Sequence, residues 1–333
     1  MSHYTHISIE EREIIRCGLA EKKSKAAIAR ELGRNRSSIS RELQRNKSTH
    51  HTYSAHVAQH RYVKRRKRCH RKYVLENKEW YAYVMEGLSV SWSPEEIVGR
   101  WELKKGEKSP SCATSIYRAI HTGLIPVVVK KAMRTNWSRK KHKREKGKDP
   151  RGRIAIEHTI HDRPGIANHR ERLGDWEADT VRSSKRGGIA TYVDRKSRLL
   201  IAKKVADLKA DSFNAATVEA LGPWNAMDCV KTLTVDNGHE FARYKEIEKK
   251  FGELVVYFAE PFSSWQRGSN EHANGLLRQF YPKGTDFDDI TQAELDAVVD
   301  LINQRPRKMF NYLSAHEEHE RLLRKHDEDA KKK

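Results

Sequence analysis

The chain is poor in cysteine: 333 residues contain only Cys17, Cys69, Cys112 and Cys229, and no two of them stand at metal-ligand spacing. That excludes a disulfide framework and a zinc ribbon. A looser group, His56, His60, Cys69 and His70, lacks the two-residue spacer of usual zinc sites in its second pair and reads better as solvated residues of a basic helix. The N-terminus has no apolar signal core, and no run approaches a membrane span. A reduced, cytoplasmic setting is expected, with no membrane partner. Clear dimerisation heptads are also missing.

Positive charge is abundant and unevenly placed. The chain carries 66 Lys and Arg against 45 Asp and Glu, a formal net charge of +21. Residues 1–173 hold 40 basic and 18 acidic side chains, whereas residues 174–333 hold 26 and 27. Solubility needs no such asymmetry, but a polyanion does, because affinity for DNA comes largely from phosphate neutralisation and counterion release.

The basic half opens with a helix-turn-helix pattern over residues 1–50. Ile9, Ile14, Ile15 and Leu19 form an apolar stripe, Ala26 to Leu32 a second short helix ended by Gly33, and Arg36 to Leu43 restart the helical period. With Ile39 and Leu43 facing inward, Arg34, Arg36, Ser37, Ser38, Arg41 and Arg45 face outward, where a recognition helix meets base edges and phosphates. A basic linker over 51–90 follows, and its Arg65 and Arg66 are expected on phosphates. A second helical module over 91–128 starts at the capped Trp92-Ser93-Pro94-Glu95-Glu96 and would present Thr114, Ser115, Tyr117 and Arg118 to DNA, unless Tyr117 and Ile120 are simply core. Residues 129–168 read as a further basic linker, with the tract from Lys130 to Arg153 lying along a phosphate backbone.

The second half changes character. Strands are expected at Trp176–Arg182, Gly188–Arg195 and Leu199–Val205, then a helix at 210–221, a strand at 231–236, a helix at 239–251, a strand at 254–259 and a helix at 269–280. This order fits a ribonuclease-H-like, integrase-type α/β domain over 169–313, in which the first and fourth strands adjoin, followed by a charged tail over 314–333. Such a sheet brings Asp179 beside Asp236 despite the 56 residues between them, and Glu271 arrives from a helix after 34 more.

Each of those carboxylates has an ordinary alternative. Asp236 in Asp236-Asn237-Gly238 can turn the chain, and Glu271 can favour a helix dipole. Asp179 is harder to set aside, because a charge in an apolar strand is costly unless paired or metal-bound. Together they suit a site for two Mg2+ ions, with Mn2+ as a substitute, that clamps the attacking and leaving oxygens of a phosphodiester. Arg278, seven residues past Glu271, shares its helical face and is placed to hold a phosphate. The polar loop with Trp265 and Arg267 is expected to position a DNA end, Trp265 being either a stacking surface or a buried loop residue.

The segments WEAD, TVDNGHEF, YFAEPFSSWQRGSNEHANGLLRQFYPKGTDF and INQRPRK resemble the transposases of the IS30 family of bacterial insertion sequences. The likeness spans nearly the whole chain, with Ala178 standing where the family usually carries glycine. It implies that Asp179, Asp236 and Glu271 are a DDE triad and that the N-terminal modules recognise terminal inverted repeats. It also implies strand cleavage and transfer by in-line displacement, circular or abutted-end intermediates, double-stranded element ends and target DNA as partners, and a bacterial, nucleoid-associated location. Joining two ends calls for at least a homodimer on DNA. A non-catalytic repressor would use the same helical modules without the carboxylates, and a ribonuclease-H-type nuclease would use the same site without joining.

Overall fold

Short polar side chains decide where the N-terminal helices begin. The computed structural model describes residues 5–47, 52–69, 77–125, 155–261 and 263–331. Ser8 forms a reciprocal cap with Glu11 at the start of α1 (Ile9–Ala20), Ser24 caps α2 (Lys25–Glu31), and Asn35 caps α3 (Arg36–Arg45). Each side-chain oxygen accepts from a backbone N–H that the helix leaves open. Gly33, at φ +60°, makes the left-handed turn between α2 and α3. Ile15, Ile28, Ala29 and Ile39 form the core of the bundle.

The chain separates into two compact units, Met1–Glu76 and Asn77–Lys333. The stretch expected as a linker over 51–90 contains a helix of each. In the first unit α4 (Ala55–Cys69) packs on α1 with Ala55 and Ala58 buried, and the buried Arg12 ties the bundle together through Glu42 at 2.8 Å and through Gln59 on α4. Two alanines make too faint an apolar stripe to be legible among so many lysines and arginines. The tract from Lys130 to Arg153 and the possible zinc ligand His70 lie outside the described residues.

The second unit begins with α5 (Lys78–Ser89), α6 (Pro94–Lys105) and α7 (Ala113–His121). Ser93 and Glu96 form the expected reciprocal cap, with Pro94 in the first turn. Trp80 and Trp101 meet edge to face at 5.1 Å, over a core that includes Ile97, Ile116 and Ile120. This bundle is fastened to the end of the chain: Arg305 bonds Glu96 at 2.8 and 2.9 Å, and Arg100 donates to the Tyr312 carbonyl at 3.0 Å and to Glu317 at 2.8 Å. Gly99 lies under the Tyr312 ring, where a Cβ would stand 2.2 Å from a ring carbon.

A five-stranded sheet follows, built from β1 (Asp175–Arg182), β2 (Gly188–Asp194), β3 (Leu200–Val205), β4 (Thr232–Val235) and β5 (Val255–Phe258) in the order β3-β2-β1-β4-β5. β1 to β3 form an antiparallel meander, while β4 and β5 run parallel to β1, with Trp176 opposite Leu233. Alternation along β1 assigns its faces. Trp176 and Ala178 join the core under α8 (Ala210–Asn225) and α9 (Tyr244–Phe251), and Val181 joins the core under α10 (Gly268–Phe280) and α11 (Gln292–Asn303). Asp179 therefore faces α10. The stretch read as a tail is α12 (Ala315–Lys331), whose first turns are buried through Ala315, Glu318 and His319. Its inner side is largely polar, so it carries no apolar stripe to read.

Candidate active site

Glu177 and Asp179 stand two residues apart on β1, and so share the face that meets α10. Glu177 is fully buried, paired with Arg195, and accepts from the backbone N–H of Asn270 at 2.9 Å. The Asn270 side chain donates to the carbonyls of Glu177 at 2.9 Å and Thr191 at 3.2 Å. These bonds lock the first turn of α10 onto the centre of the sheet. One turn on, Asn274 donates to Asp179 at 3.1 Å. Nothing in the sequence singles out Glu177, Asn270 or Asn274, because their roles depend on partners that only the folded sheet supplies.

Asp236 follows the end of β4 and accepts from the Gly238 N–H at 2.8 Å, a tight turn in which a Cβ at Gly238 would lie 2.4 Å from Glu240 and 3.0 Å from Asp236. Glu240, itself buried, accepts from the Thr180 hydroxyl at 2.7 Å. The parallel pairing of β1 and β4 thus carries Asp179 and Asp236 to the same place. Arg267, the residue before α10, reaches both: its guanidinium lies 3.4 Å from Asp179 and 3.1 Å from Asp236 and also donates to the Ala178 carbonyl at 3.0 Å. Burial pushes the Asp179 carboxyl up; Arg267 opposes that shift, and the charge of Asp236 adds to it. Two carboxylates facing one another, one of them largely withdrawn from water, favour a cation between them.

As donors for a hard divalent cation these two aspartates fit, being oxygen ligands close enough to share one positive group. Glu271 lies on the first turn of α10, on the flank that also bears Asn274, but its side chain is exposed and has no ion-pair partner among the described residues. No cluster of three acidic, histidine or cysteine side chains closes at metal-ligand distance among the described residues.

The remaining expected residues divide. Trp265 is 73% exposed and so is not the buried loop residue that was its alternative. Arg278 shares the Glu271 flank and donates to the carbonyls of Arg182 at 3.0 Å, Pro282 at 3.4 Å and Tyr281 at 3.5 Å. It braces the end of β1; the arginine at the carboxylates is Arg267. In the first unit Arg34 pairs with Glu11 at 2.8 Å and donates to the Thr5 carbonyl, which ties it to the fold, whereas Arg36, Ser37, Arg41 and Arg45 are exposed and Ser38 half-buried. Ser38, Arg41 and Arg45 share a cleft of about 430 Å³ with Arg65 and Arg66 from α4. On α7, Thr114 and Arg118 are exposed and Ser115 is half-buried, while Tyr117 donates to Glu95 at 2.8 Å and its hydroxyl is pushed up to about 12, by burial first and then by that carboxylate.

A family model described as a helix-turn-helix domain matches residues 3–46. Over nearly its whole length the chain is 34% identical to the transposase for insertion sequence element IS4351 of Bacteroides fragilis, the alignment covering 96% of each. It is 36% identical to the transposase InsI for element IS30A of Escherichia coli K12, over 92% of this chain and 81% of that one. The chain belongs to the IS30 family of transposases. Within that family it is also 37% identical to the transposase for element IS1086 of Cupriavidus metallidurans, over 93% of each. Among solved structures, a chain from a simian T-cell lymphotropic virus intasome in complex with the PP2A regulatory subunit B56 gamma aligns over 51% of this chain and 60% of that one, at 15% identity and TM-score 0.39. That likeness is too weak to bear on the chemistry.

Proposed function

We propose that this IS30-family protein binds the ends of an insertion sequence and cuts and joins DNA strands at Asp179, Asp236 and Glu271, in a ribonuclease-H-like domain spanning about residues 169–313. The observation that carries the reading is the convergence of two aspartates from adjacent parallel strands on one guanidinium, at 3.4 and 3.1 Å, with Glu271 on the neighbouring helix flank. A pair of Mg2+ ions, with Mn2+ as substitute, would supply Lewis-acid stabilisation of the phosphodiester and a nucleophile activated at neutral pH. Asp179 and Asp236 would hold them, and a shift of the exposed Glu271 toward the pair would complete the set.

The chain's own residues do the rest. Asn274 fixes one Asp179 oxygen, and Asn270 and Glu177 fix the helix from which Glu271 acts, so Asp179 and the helix backbone are pre-positioned and the Glu271 side chain is the part that has to move. Trp265, exposed beside Arg267, offers a stacking face to a frayed DNA end. Arg36, Ser37, Ser38, Arg41 and Arg45 read the element end, Arg65 and Arg66 hold its phosphates, and Thr114, Ser115 and Arg118 on α7 add further bonds to DNA. Two ends must meet, so the active form is a homodimer or larger on double-stranded DNA.

The test compares Asp236→Asn with the wild type on a duplex carrying the element end. Binding in a mobility-shift assay should be retained within about threefold, and cleavage and strand joining in Mg2+ should fall by about 10³ or more. Cleavage without joining in the wild type would favour a nuclease; neither activity would favour a repressor.

A further inference from the structure

On a flank of α10 turned away from Glu271, a cavity of about 520 Å³ opens beside the helix's first turn. Arg170, Arg198, Arg305, Arg307 and Lys308 line it, and Glu96 is its sole carboxylate among the described residues. Arg305 already holds Glu96, bonding both of its oxygens. Nearby Glu177 is taken by Arg195. Four cationic side chains are left facing the cavity without a bonded carboxylate in its lining. Arg198 donates to the Ser269 hydroxyl on α10, and Arg307 reaches the Ile302 carbonyl at 3.4 Å while its buried Nε has no hydrogen-bond partner among the described residues. Burial and the neighbouring arginines bring both guanidinium groups down to about 10, which leaves them charged at neutral pH.

Buried arginines are ordinarily matched by carboxylates, since an uncompensated buried charge is strongly destabilising. Here the carboxylates are outnumbered: among the described residues Glu96 in the lining acts on Arg307 and the nearby Glu177 on Arg170 and Arg198, and both are already bonded to other arginines, while the rim is open at the exposed Lys308 and Met309. Guanidinium forks match the non-bridging oxygens of a phosphodiester better than they match a point anion. The volume exceeds that of a single phosphate and falls in the range of sites that enclose a small ligand. We infer that this pocket seats backbone phosphates of a DNA strand passing α10, separately from the phosphates that react at the carboxylates. The inference rests on the chain being a DNA-processing transposase, and it assigns a strand-holding role to the segment from Arg305 to Met309, which the chemistry above leaves unused.

The experiment uses the full-length chain and a 30-base-pair duplex of arbitrary sequence, with affinity measured across a salt series. Arg170→Ala/Lys308→Ala should bind about tenfold more weakly near 0.1 M salt and lose nearly two from the slope of log affinity against log salt, about 0.9 for each phosphate no longer neutralised. Lys308→Glu alone, at an exposed position, should move both in the same direction with an unchanged melting temperature in the absence of DNA. Curves that coincide with the wild type for both variants overturn the proposal. So does a pocket that serves only a small anion, seen as an inorganic phosphate-induced rise in melting temperature that the double variant loses while duplex binding stays unchanged. Asp236→Asn should keep the wild-type salt slope. If Asp236→Asn still joins strands, the catalytic assignment fails and the pocket stands; an unaltered slope in the pocket variants fails the pocket alone.

Discussion

Arg267 occupies the position in which two aspartates most need positive charge, and that makes it a competitor for any cation they bind. Removing it by Arg267→Ala leaves Asp179 and Asp236 facing each other without a cationic partner, held only by the Asn274 amide and the Thr180 and Gly238 N–H groups. The metal-free protein should lose about 1–3 kcal/mol in urea unfolding with chelator present, and the stabilisation produced by Mg2+ should grow. An unchanged Mg2+ response would show that the guanidinium and the metal do not share the site. Glu177 is a different case. In the sequence Asp179 stands out as the costly charge on β1, yet the fully buried carboxylates of that strand are Asp175 and Glu177, the latter two residues earlier on the same face. Its partner Arg195 comes from the end of β2 and its second partner, the Asn270 N–H, from α10, so no local pattern announces the role. Glu177→Ala should cost about 3–5 kcal/mol by leaving Arg195 buried and unpaired, and the same urea titration measures it.

At the scale of elements, the strands and helices of the sheet domain are legible in the sequence because their patterns are clean. The runs expected from residue 176 to 280 fall within a few residues of β1 to β5 and α8 to α10, since alternation and apolar runs report burial directly. The α4 and α12 helices are not legible, because each buries alanine or polar side chains instead of an apolar stripe. In α12, His319 packs edge to face on Trp224 at 4.7 Å and bonds Ser197 at 2.9 Å; burial, with a smaller effect from His316, lowers its pKa to about 4. Burial opposes ionisation of Glu317 too, but bonds from Arg100 and Ser314 prevail and hold its pKa down to about 2. Both shifts are downward, so the unfolded chain binds more protons and acid weakens the fold. The His319 contribution is intact above about pH 6.5 and is lost as pH falls toward 4, on the order of 3 kcal/mol; the Glu317 contribution is lost below about pH 4.5. Thermal melts from pH 7 to pH 4 should show that loss, and His319→Phe should flatten it; an identical slope in the variant would place the acid sensitivity elsewhere.

In the first unit the division between reading and holding predicts two phenotypes. Arg36→Ala and Arg41→Ala should lower discrimination for the element end, by about 1–3 kcal/mol for each arginine that pairs with a base edge, whereas neutralising Arg65 and Arg66 should weaken binding to all duplexes and flatten its salt dependence. Competition binding against random DNA separates them. Equal losses on both kinds of DNA from all four changes would remove α3 as the reader.

For the whole molecule, the positive charge lies in residues 1–173, whereas the nearly neutral remainder carries the acidic pair and, together with Arg170 and Glu96, the arginine-rich pocket. The proposed triad is read from the sequence as three acidic residues in a strand–strand–helix order, and its two aspartates do converge. What the sequence does not show is the occupant between them, because Arg267 is close only once α10 is docked on β1. The most direct measurement is the rate of strand joining for Asp179→Asn, Asp236→Asn, Glu271→Gln and the triple variant, in Mg2+, at saturating concentrations of an element-end duplex. If the three carboxylates act as one unit, each single change falls to about the same residual rate as the triple, about 10³ or more below wild type, with end binding kept. A Glu271→Gln protein that joins strands near the wild-type rate would contradict the account, leaving the two aspartates without their third partner.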